Sequence, residues 1–160
     1  HFPMGKKDRV LKALEAYEFI ESKLREGKNV AFLTIGDPYV YSTYSHMLKH
    51  MRDDGFQVET IPGITSFCAA ASLVDRTLVV GNENLVVMPA TKVKEITDEK
   101  FIVVMKVYKH EEEVLNTLEE KGFDYIYASR VGREGQIVLT DREEILKVRD
   151  YMSLIIASRS

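Results

Sequence analysis

Cysteine and an excess of charge of one sign are what this 160-residue sequence lacks most clearly. Cys68 is its only cysteine, so no internal disulfide can form, and we expect a reducing compartment, the cytoplasm. The net charge is −3, with ten basic and ten acidic residues before Asn82 and twelve basic against fifteen acidic residues after it. Because neither part is basic, we expect no nucleic-acid partner.

Long apolar runs and phosphate-binding motifs are also missing. No run approaches the roughly 20 apolar residues of a membrane span, and no secretory signal opens the sequence, so we expect no membrane partner. Neither Gly-x-Gly-x-x-Gly nor a phosphate loop is present, which disfavours a generic nucleotide-binding module. The 45% of hydrophobic residues suffices for a sizeable core in one domain or two small ones.

Helical and strand patterns alternate along the chain, which is typical of an α/β fold. The first part predicts helices over residues 8–24, with Asp8 as N-cap, over residues 42–53, and from Thr65 onwards. Two apolar segments, residues 30–35 and 56–61, predict strands, the first of them buried on both faces. His46 and His50 lie four residues apart on the second helix but lack a third ligand, so we expect no metal site.

The alternation begins again after residues 77–83, which are the candidate domain boundary. Strands are predicted at residues 85–88, 101–107, 124–129, 137–140 and 151–157, and helices at residues 93–100 and 111–121. Residues 142–149 fit either a helix or a loop.

Gly36-Asp37-Pro38 comes at the end of the first predicted strand. In open parallel sheets, ligands bind at the carboxyl ends of the strands. Gly36 would let a ligand approach the backbone closely, and the helix beginning near Ser42 would present free N–H groups to it. A strand-turn-helix connection without any ligand has the same pattern, so the tripeptide alone leaves both interpretations open.

Two segments together resemble a known family. Residues 36–45 (GDPYVYSTYS), followed by residues 61–72 (IPGITSFCAAAS), are similar to the tetrapyrrole methylases. Within that family they resemble the cobalamin-pathway methyltransferases that methylate carbon 20 of precorrin-2 or cobalt-factor II. Phe2-Pro3-Met4, residues 81–85 and residues 151–156 also resemble this subfamily, so the likeness extends over nearly the whole chain.

The resemblance implies a tetrapyrrole methylase-like α/β fold of two domains, with the first one truncated. Family members begin with a strand and a Gly-Pro-Gly type loop that contributes to the S-adenosylmethionine site, and this sequence shows neither. Residues 1–82 would then be the C-terminal part of the first α/β domain and residues 83–160 the second. A homodimer is also implied, and a chain so shortened is expected to bind the methyl donor weakly and to be inactive by itself.

S-adenosylmethionine is the implied methyl donor, and the resemblance carries its contacts onto eight positions. The backbone of the Gly-Asp-Pro turn, the two residues after Pro62-Gly63, a methionine of the second domain and a residue near the adenine would form the site. These positions are Ile35, Gly36, Asp37, Val40, Thr65, Ser66, Met105 and Val131.

The substrate and the proton acceptor add three residues to the predicted site and give Asp37 a second candidate role. Tetrapyrroles carry many carboxylates, which arginine pairs with in bidentate fashion, so Arg130 and Arg133 are candidate substrate contacts, although an exposed loop is an equal interpretation. Asp37, Tyr41 or water would remove the proton from carbon 20 after methyl transfer, with Asp37 ranked first unless its carboxylate only braces the loop.

Two other functions remain open on the sequence. One is a related methylase of the same fold that acts on RNA or on a protein. The other is a fragment that dimerises without catalysis.

Overall fold

The computed structural model of the protein describes residues 9–160, with side chains from Lys12 onwards. The contacts divide the chain into two compact units, one that ends at Thr65 and one that spans Ser66–Ser160. The predicted N-cap Asp8 and the tripeptide Phe2-Pro3-Met4 lie outside the described residues. The division into domains at residues 1–82 and 83–160 stays a prediction.

Two helices form the frame of the first unit. Helix α1 (Arg9–Arg25) and helix α2 (Tyr44–Asp53) confirm the helical predictions. A glycine in the left-handed region follows each helix, Gly27 with φ +76° and Gly55 with φ +79°, as helix C-termini commonly require. A small apolar core joins the helices to residues 30–35 and 56–61, with Tyr17, Met47 and Met51 buried and Ile20, Leu24, Phe32, Phe56 and Val58 packed against them.

The two strands predicted in the first unit are wrong. Residues 30–35 and 56–61 run without any strand pairing to the described part of the chain, and the first segment is not buried on both faces. Leu33 is 88% exposed and Ile35 is 73% exposed, whereas Phe32 between α1 and α2 is half-buried. The apolar sequence favours extended backbone, but a strand also needs a hydrogen-bonded neighbour, and sequence periodicity does not report one.

The second unit begins with four elements. They are helix α3 (Ser66–Leu73), strand β1 (Leu85–Pro89), a 3₁₀ helix (Ala90–Glu95) and strand β2 (Phe101–Met105). The helix predicted over residues 93–100 is thus shorter and begins earlier. The Thr97 N–H donates to Glu99 Oε2 at 2.7 Å, so the backbone beyond Glu95 bonds to a side chain instead of continuing the helix.

The remaining elements of the second unit match the predicted pattern closely. They are helix α4 (Glu111–Glu120), strand β3 (Asp124–Ser129), strand β4 (Ile137–Leu139), helix α5 (Arg142–Lys147) and strand β5 (Ser153–Ser158). The segment that fitted either a helix or a loop is therefore helical at residues 142–147. The Asp141 side chain caps it by accepting a hydrogen bond from the Glu144 N–H at 3.0 Å.

The five strands form one sheet in the order β1-β2-β5-β3-β4. Strands β1 and β2 are parallel, and β5 lies antiparallel between β2 and β3. Strands β2 and β3 therefore run in the same direction, and their carboxyl ends at Met105 and Ser129 reach one edge of the sheet. The first residues of β5 lie at that same edge, where Ser153 pairs with Ser129 and Leu154 with Met105.

Alternating side chains give the sheet a different core on each face. One face packs against α4, α5 and the 3₁₀ helix through side chains that include Ile102, Val104, Val114, Leu115, Leu118, Tyr127, Ile145 and Ile155. The other face packs against α3 through Ala70, Ala71, Ala128, Leu154 and Ile156. Met105 and Val131, two of the predicted site residues, pack on this second face.

Candidate functional site

The Gly-Asp-Pro turn of the first unit is a tight turn closed by its own aspartate. Gly36 has φ +77°, a conformation that glycine adopts without steric cost. Asp37 Oδ1 accepts a hydrogen bond from the Tyr39 N–H at 2.8 Å, and the Asp37 carbonyl accepts one from the Val40 N–H at 3.2 Å. Aspartate is favoured at such turns because its short side chain can bond to backbone two residues further on.

The second oxygen of Asp37 connects this turn to the Pro62-Gly63 turn. Asp37 Oδ2 accepts a hydrogen bond from the Gly63 N–H at 3.0 Å. A Cβ atom at position 63 would lie 2.2 Å from the carbonyl oxygen of Gly36, so only glycine permits this approach. Two segments that are 26 residues apart in sequence therefore meet backbone to backbone.

The other predicted site residues of the first unit surround these turns along the chain. Ile35 is 73% exposed just before Gly36, and Val40 is half-buried after it. Tyr41 is 47% exposed and has φ +50°, which is uncommon for a residue with a bulky side chain. Thr65 is half-buried two residues after Gly63. Their roles toward a methyl donor stay predictions.

Two predicted donor contacts of the second unit, Met105 and Val131, lie on one patch of the sheet. Both side chains are partly buried and pack against the cluster formed by α3, β3 and β5. Phe67, the second residue of α3, packs on the same cluster, and Ser66 is the first residue of that helix. The structure therefore brings the start of α3, Met105 and Val131 to one half-buried apolar patch.

The predicted substrate arginines lie in the loop after β3. Arg130 adopts φ +50°, its N–H donates to the Met152 carbonyl at 3.0 Å, and its Nε donates to Asp150 Oδ2. The Arg133 N–H bonds to the Arg130 carbonyl at 2.9 Å, and Arg133 Nη1 contacts Met152 Sδ at 3.2 Å. The guanidinium of Arg130 is thus already paired, so a substrate carboxylate would have to join or replace Asp150.

Asp150 is a residue of this loop cluster that the sequence reasoning missed. Burial raises its pKa, but hydrogen bonds from the Met152 N–H and from Arg130 outweigh that effect, so the pKa of Asp150 lies below its usual value. Its Oδ1 accepts from the Met152 N–H at 2.9 Å, the same two-residue pattern as in the Asp37 turn. An aspartate directly before a predicted strand was the available signal.

A buried carboxylate lies at the start of α4. Glu111 is 1% exposed, and its Oε2 accepts a hydrogen bond from Arg149 Nη1 at 2.8 Å. Its Oε1 has no hydrogen-bond partner among the described residues. The sequence shows three consecutive glutamates here and gives no sign of which one is buried.

Within residues 9–160, no group of three histidine, cysteine, aspartate or glutamate residues is placed to hold a metal ion. No helix in that part of the chain is long and apolar enough to cross a membrane.

The structure is that of an α/β protein. Two turns meet backbone to backbone in one unit, and the other unit has a half-buried apolar patch. The model of the tetrapyrrole (corrin/porphyrin) methylases matches residues 1–146. The chain therefore belongs to the tetrapyrrole methylase family.

Two relatives show the likeness in sequence. The chain is 35% identical to a protein of Methanocaldococcus jannaschii named probable cobalt-precorrin-2 C(20)-methyltransferase, over 99% of this chain and 70% of that one. It is 30% identical to the precorrin-2 C(20)-methyltransferase of a Sinorhizobium species, over 87% of this chain and 59% of that one.

The fold is shared with solved structures. The uroporphyrin-III C-methyltransferase of Thermus thermophilus, in complex with S-adenosylhomocysteine, superimposes with a TM-score of 0.72 at 17% identity. The match covers 91% of this chain and 73% of that one. This likeness confirms the tetrapyrrole methylase-like α/β fold.

Proposed function

We propose that this chain belongs to an S-adenosylmethionine-dependent methyltransferase that methylates carbon 20 of precorrin-2 or cobalt-factor II. The observation that carries the proposal is the 35% identity over 99% of the chain to a relative named for that reaction. The relatives differ on whether cobalt is named in the substrate, so both rings are candidates. We further propose a cytoplasmic homodimer without a nucleic-acid or membrane partner.

The residues present fit the methyl donor. Gly36 has no side chain, so the amino-acid end of the donor could approach the backbone of the Gly-Asp-Pro turn closely. Met105 and Val131 offer a half-buried apolar patch, which suits an adenosine. The proposed donor contacts are the backbone of Ile35, Gly36 and Asp37, with Val40, Thr65, Ser66, Met105 and Val131.

When bound, the donor supplies an activated methyl group: a bond forms from the methyl carbon to carbon 20, the carbon–sulfur bond breaks, and S-adenosylhomocysteine and a proton leave. The protein's task is mainly positioning, which can supply up to roughly 7 to 11 kcal/mol of the barrier. Rigid turns and a fixed apolar patch suit that task.

The proton from carbon 20 needs an acceptor. Tyr41 is half-exposed in its left-handed conformation, and Asp37 lies four residues before it. Both oxygens of Asp37 already accept backbone hydrogen bonds. Asp37 or Tyr41 as the base stays a prediction, and the variants described in the next subsection separate a base from another role for Asp37.

Arg130 and Arg133 are the proposed contacts for substrate carboxylates. Their loop is fixed to residues 150–152 through the Arg130–Asp150 ion pair and the Arg133–Met152 contact. A substrate carboxylate would compete with Asp150 for the Arg130 guanidinium, so the ion pair would hold the side chain in place until the substrate arrives.

The test is a methyl-transfer assay with the protein as its gene encodes it. With S-adenosylmethionine and either precorrin-2 or cobalt-factor II, we expect the tetrapyrrole to gain the mass of one methylene unit, with the new methyl located at carbon 20 by NMR. Methylation at another ring carbon would contradict the proposed position. Methylation of RNA or protein, with none of the tetrapyrrole, would favour the related methylase of the same fold that the sequence left open.

A further inference from the structure

The Asp37 carboxylate holds two turns of the first unit together. Oδ1 accepts the Tyr39 N–H within its own turn at 2.8 Å, and Oδ2 accepts the Gly63 N–H of the other turn at 3.0 Å. Pro38, between Asp37 and Tyr39, has no N–H to offer, so the Tyr39 N–H is the next donor along the turn. One carboxylate thus satisfies a local and a distant backbone donor at once.

The two turns are also fitted to each other by shape. The close approach of residue 63 to the Gly36 carbonyl leaves no room for a side chain, since a Cβ would lie 2.2 Å from that oxygen. Gly36 itself is left-handed, with φ +77°. The contact therefore depends on a glycine on each side and on the carboxylate that joins them.

Few side chains could replace aspartate here. Asparagine has the same shape but only one acceptor oxygen, so it can satisfy one of the two N–H groups and must turn its own N–H₂ toward the other. Alanine leaves both donors without their partner. The requirement for two acceptors on a short side chain is met by the aspartate carboxylate.

We propose that Asp37 is a positioning residue, which fixes the Gly36-Asp37-Pro38 turn against the Pro62-Gly63 turn and thereby sets the affinity for the methyl donor. The inference rests on the proposed function, in which backbone of the first turn and Thr65 beyond the second hold the donor. A site held in its binding arrangement before the ligand arrives loses less conformational entropy on binding. Asp37 acts through the backbone it orients.

The experiment compares Asp37→Asn with wild type in the protein as its gene encodes it, using S-adenosylhomocysteine as the calorimetric ligand. We expect the variant to bind about tenfold more weakly, because one hydrogen bond to a charged acceptor is lost from the brace. We also expect faster hydrogen exchange at the Gly63 amide, measured by NMR. In methyl-transfer assays, KM for the donor should rise by more than kcat falls.

The ligand separates this role from that of a base. Binding of S-adenosylhomocysteine removes no proton from carbon 20, so loss of a base would not change its affinity. A fall in kcat with unchanged affinity would therefore overturn the proposal and leave Asp37 as the base. Unchanged exchange at the Gly63 amide would also overturn it.

Asp141→Asn is the matched control. Asp141 Oδ1 accepts a hydrogen bond from the Glu144 N–H in the second unit, and asparagine caps helices as well as aspartate does. The same substitution there should leave the affinity for S-adenosylhomocysteine unchanged. An equal loss of affinity in Asp141→Asn would overturn the proposal, since the effect would then not come from the turns.

Gly63→Ala tests the same contact from its other side. The added methyl would push the turns apart and weaken binding of S-adenosylhomocysteine, again by about tenfold. Both substitutions break the same contact between the two turns. The double variant should therefore bind S-adenosylhomocysteine only slightly more weakly than whichever single variant has the lower affinity. Losses that multiply in full would overturn the single-brace proposal, and thermal melts of each variant exclude unfolding as the cause.

Failure of the proposed function has its own signature. If wild type itself binds no S-adenosylhomocysteine, the donor-positioning role falls together with the proposed function. The Gly63 amide exchange then still decides whether Asp37 joins the two turns.

Discussion

At the scale of single residues, the second unit contains two carboxylates whose hydrogen-bond partners determine how each contributes to stability. Glu111 is almost fully buried and has one arginine partner, whereas Asp150 has both an arginine and a backbone N–H. A buried charge that loses its partner is costly, and a carboxylate held in its ionised form makes stability depend on pH.

Arg149→Ala should lower the free energy of unfolding by about 3 kcal/mol, because it leaves the Glu111 carboxylate buried without its partner. The measurement is urea denaturation. Adding Glu111→Gln to the same variant should restore part of the loss, since a neutral amide is less costly to bury than a carboxylate. A loss below about 1 kcal/mol in Arg149→Ala, as for an ordinary surface ion pair, would contradict this account.

Asp150→Asn should remove a pH-dependent part of the stability. Folding lowers the pKa of Asp150 below its ordinary value of 3.8, so the ionised carboxylate stabilises the fold above that pH and the contribution disappears as the pH falls through the folded-state pKa. The difference in free energy of unfolding between wild type and variant should therefore narrow between about pH 5 and about pH 2. A difference that stays constant over this range would refute the assignment.

At the scale of elements, the first unit shows that an apolar segment need not be a paired strand. Residues 30–35 and 56–61 place Phe32, Phe56 and Val58 against the small core, yet they pair with no strand of the described chain. Leu33 and Ile35 point away from that core and are exposed.

Leu33→Ser in this chain should therefore change the free energy of unfolding by no more than about 0.5 kcal/mol. The matched control is Met47→Ala, whose side chain is 4% exposed in the same unit and which should cost about 2 to 5 kcal/mol. Thermal or urea unfolding compares the two. A large loss of unfolding free energy in Leu33→Ser would support the buried strand predicted from the sequence.

The same comparison explains what the sequence could predict. Strands β2, β3 and β5 and helices α1, α2 and α4 were predictable because each one's apolar pattern is satisfied by packing within its own unit. The lack of a strand partner for residues 30–35 was not predictable, because the presence of a neighbouring strand is a property of the tertiary structure. Of the candidate site, Asp37 was predicted because it follows an apolar segment and precedes proline, whereas its bond to Gly63 depends on how two distant turns meet.

At the scale of the whole molecule, the two units differ in how their backbone is held. The second unit contains a five-stranded sheet with a core on each face. The described part of the first unit has two helices and segments without regular secondary structure around a small core. Local stability follows the density of buried contacts and of paired backbone groups.

Hydrogen exchange with mass spectrometry should reveal this difference directly. Peptides that contain β2 and β5 should exchange slowest, because their residues are buried and hydrogen-bonded on both sides. Peptides that cover residues 30–35 and 56–61 should exchange fastest among the apolar segments. Equal protection of residues 30–35 and β2 would contradict the absence of strand pairing in that segment.

The position of β5 in the sheet has a consequence for how the protein is made. Among the described residues, this strand follows the other four in sequence, yet it lies between β2 and β3 in the sheet order. During synthesis on the ribosome, β2 and β3 therefore emerge first. The edges by which they pair with β5 remain unpaired until β5 has been synthesised. Those apolar edges are the kind of surface that chaperones bind and that aggregates in a crowded cell, so the centre of the sheet is the last part of it to be completed.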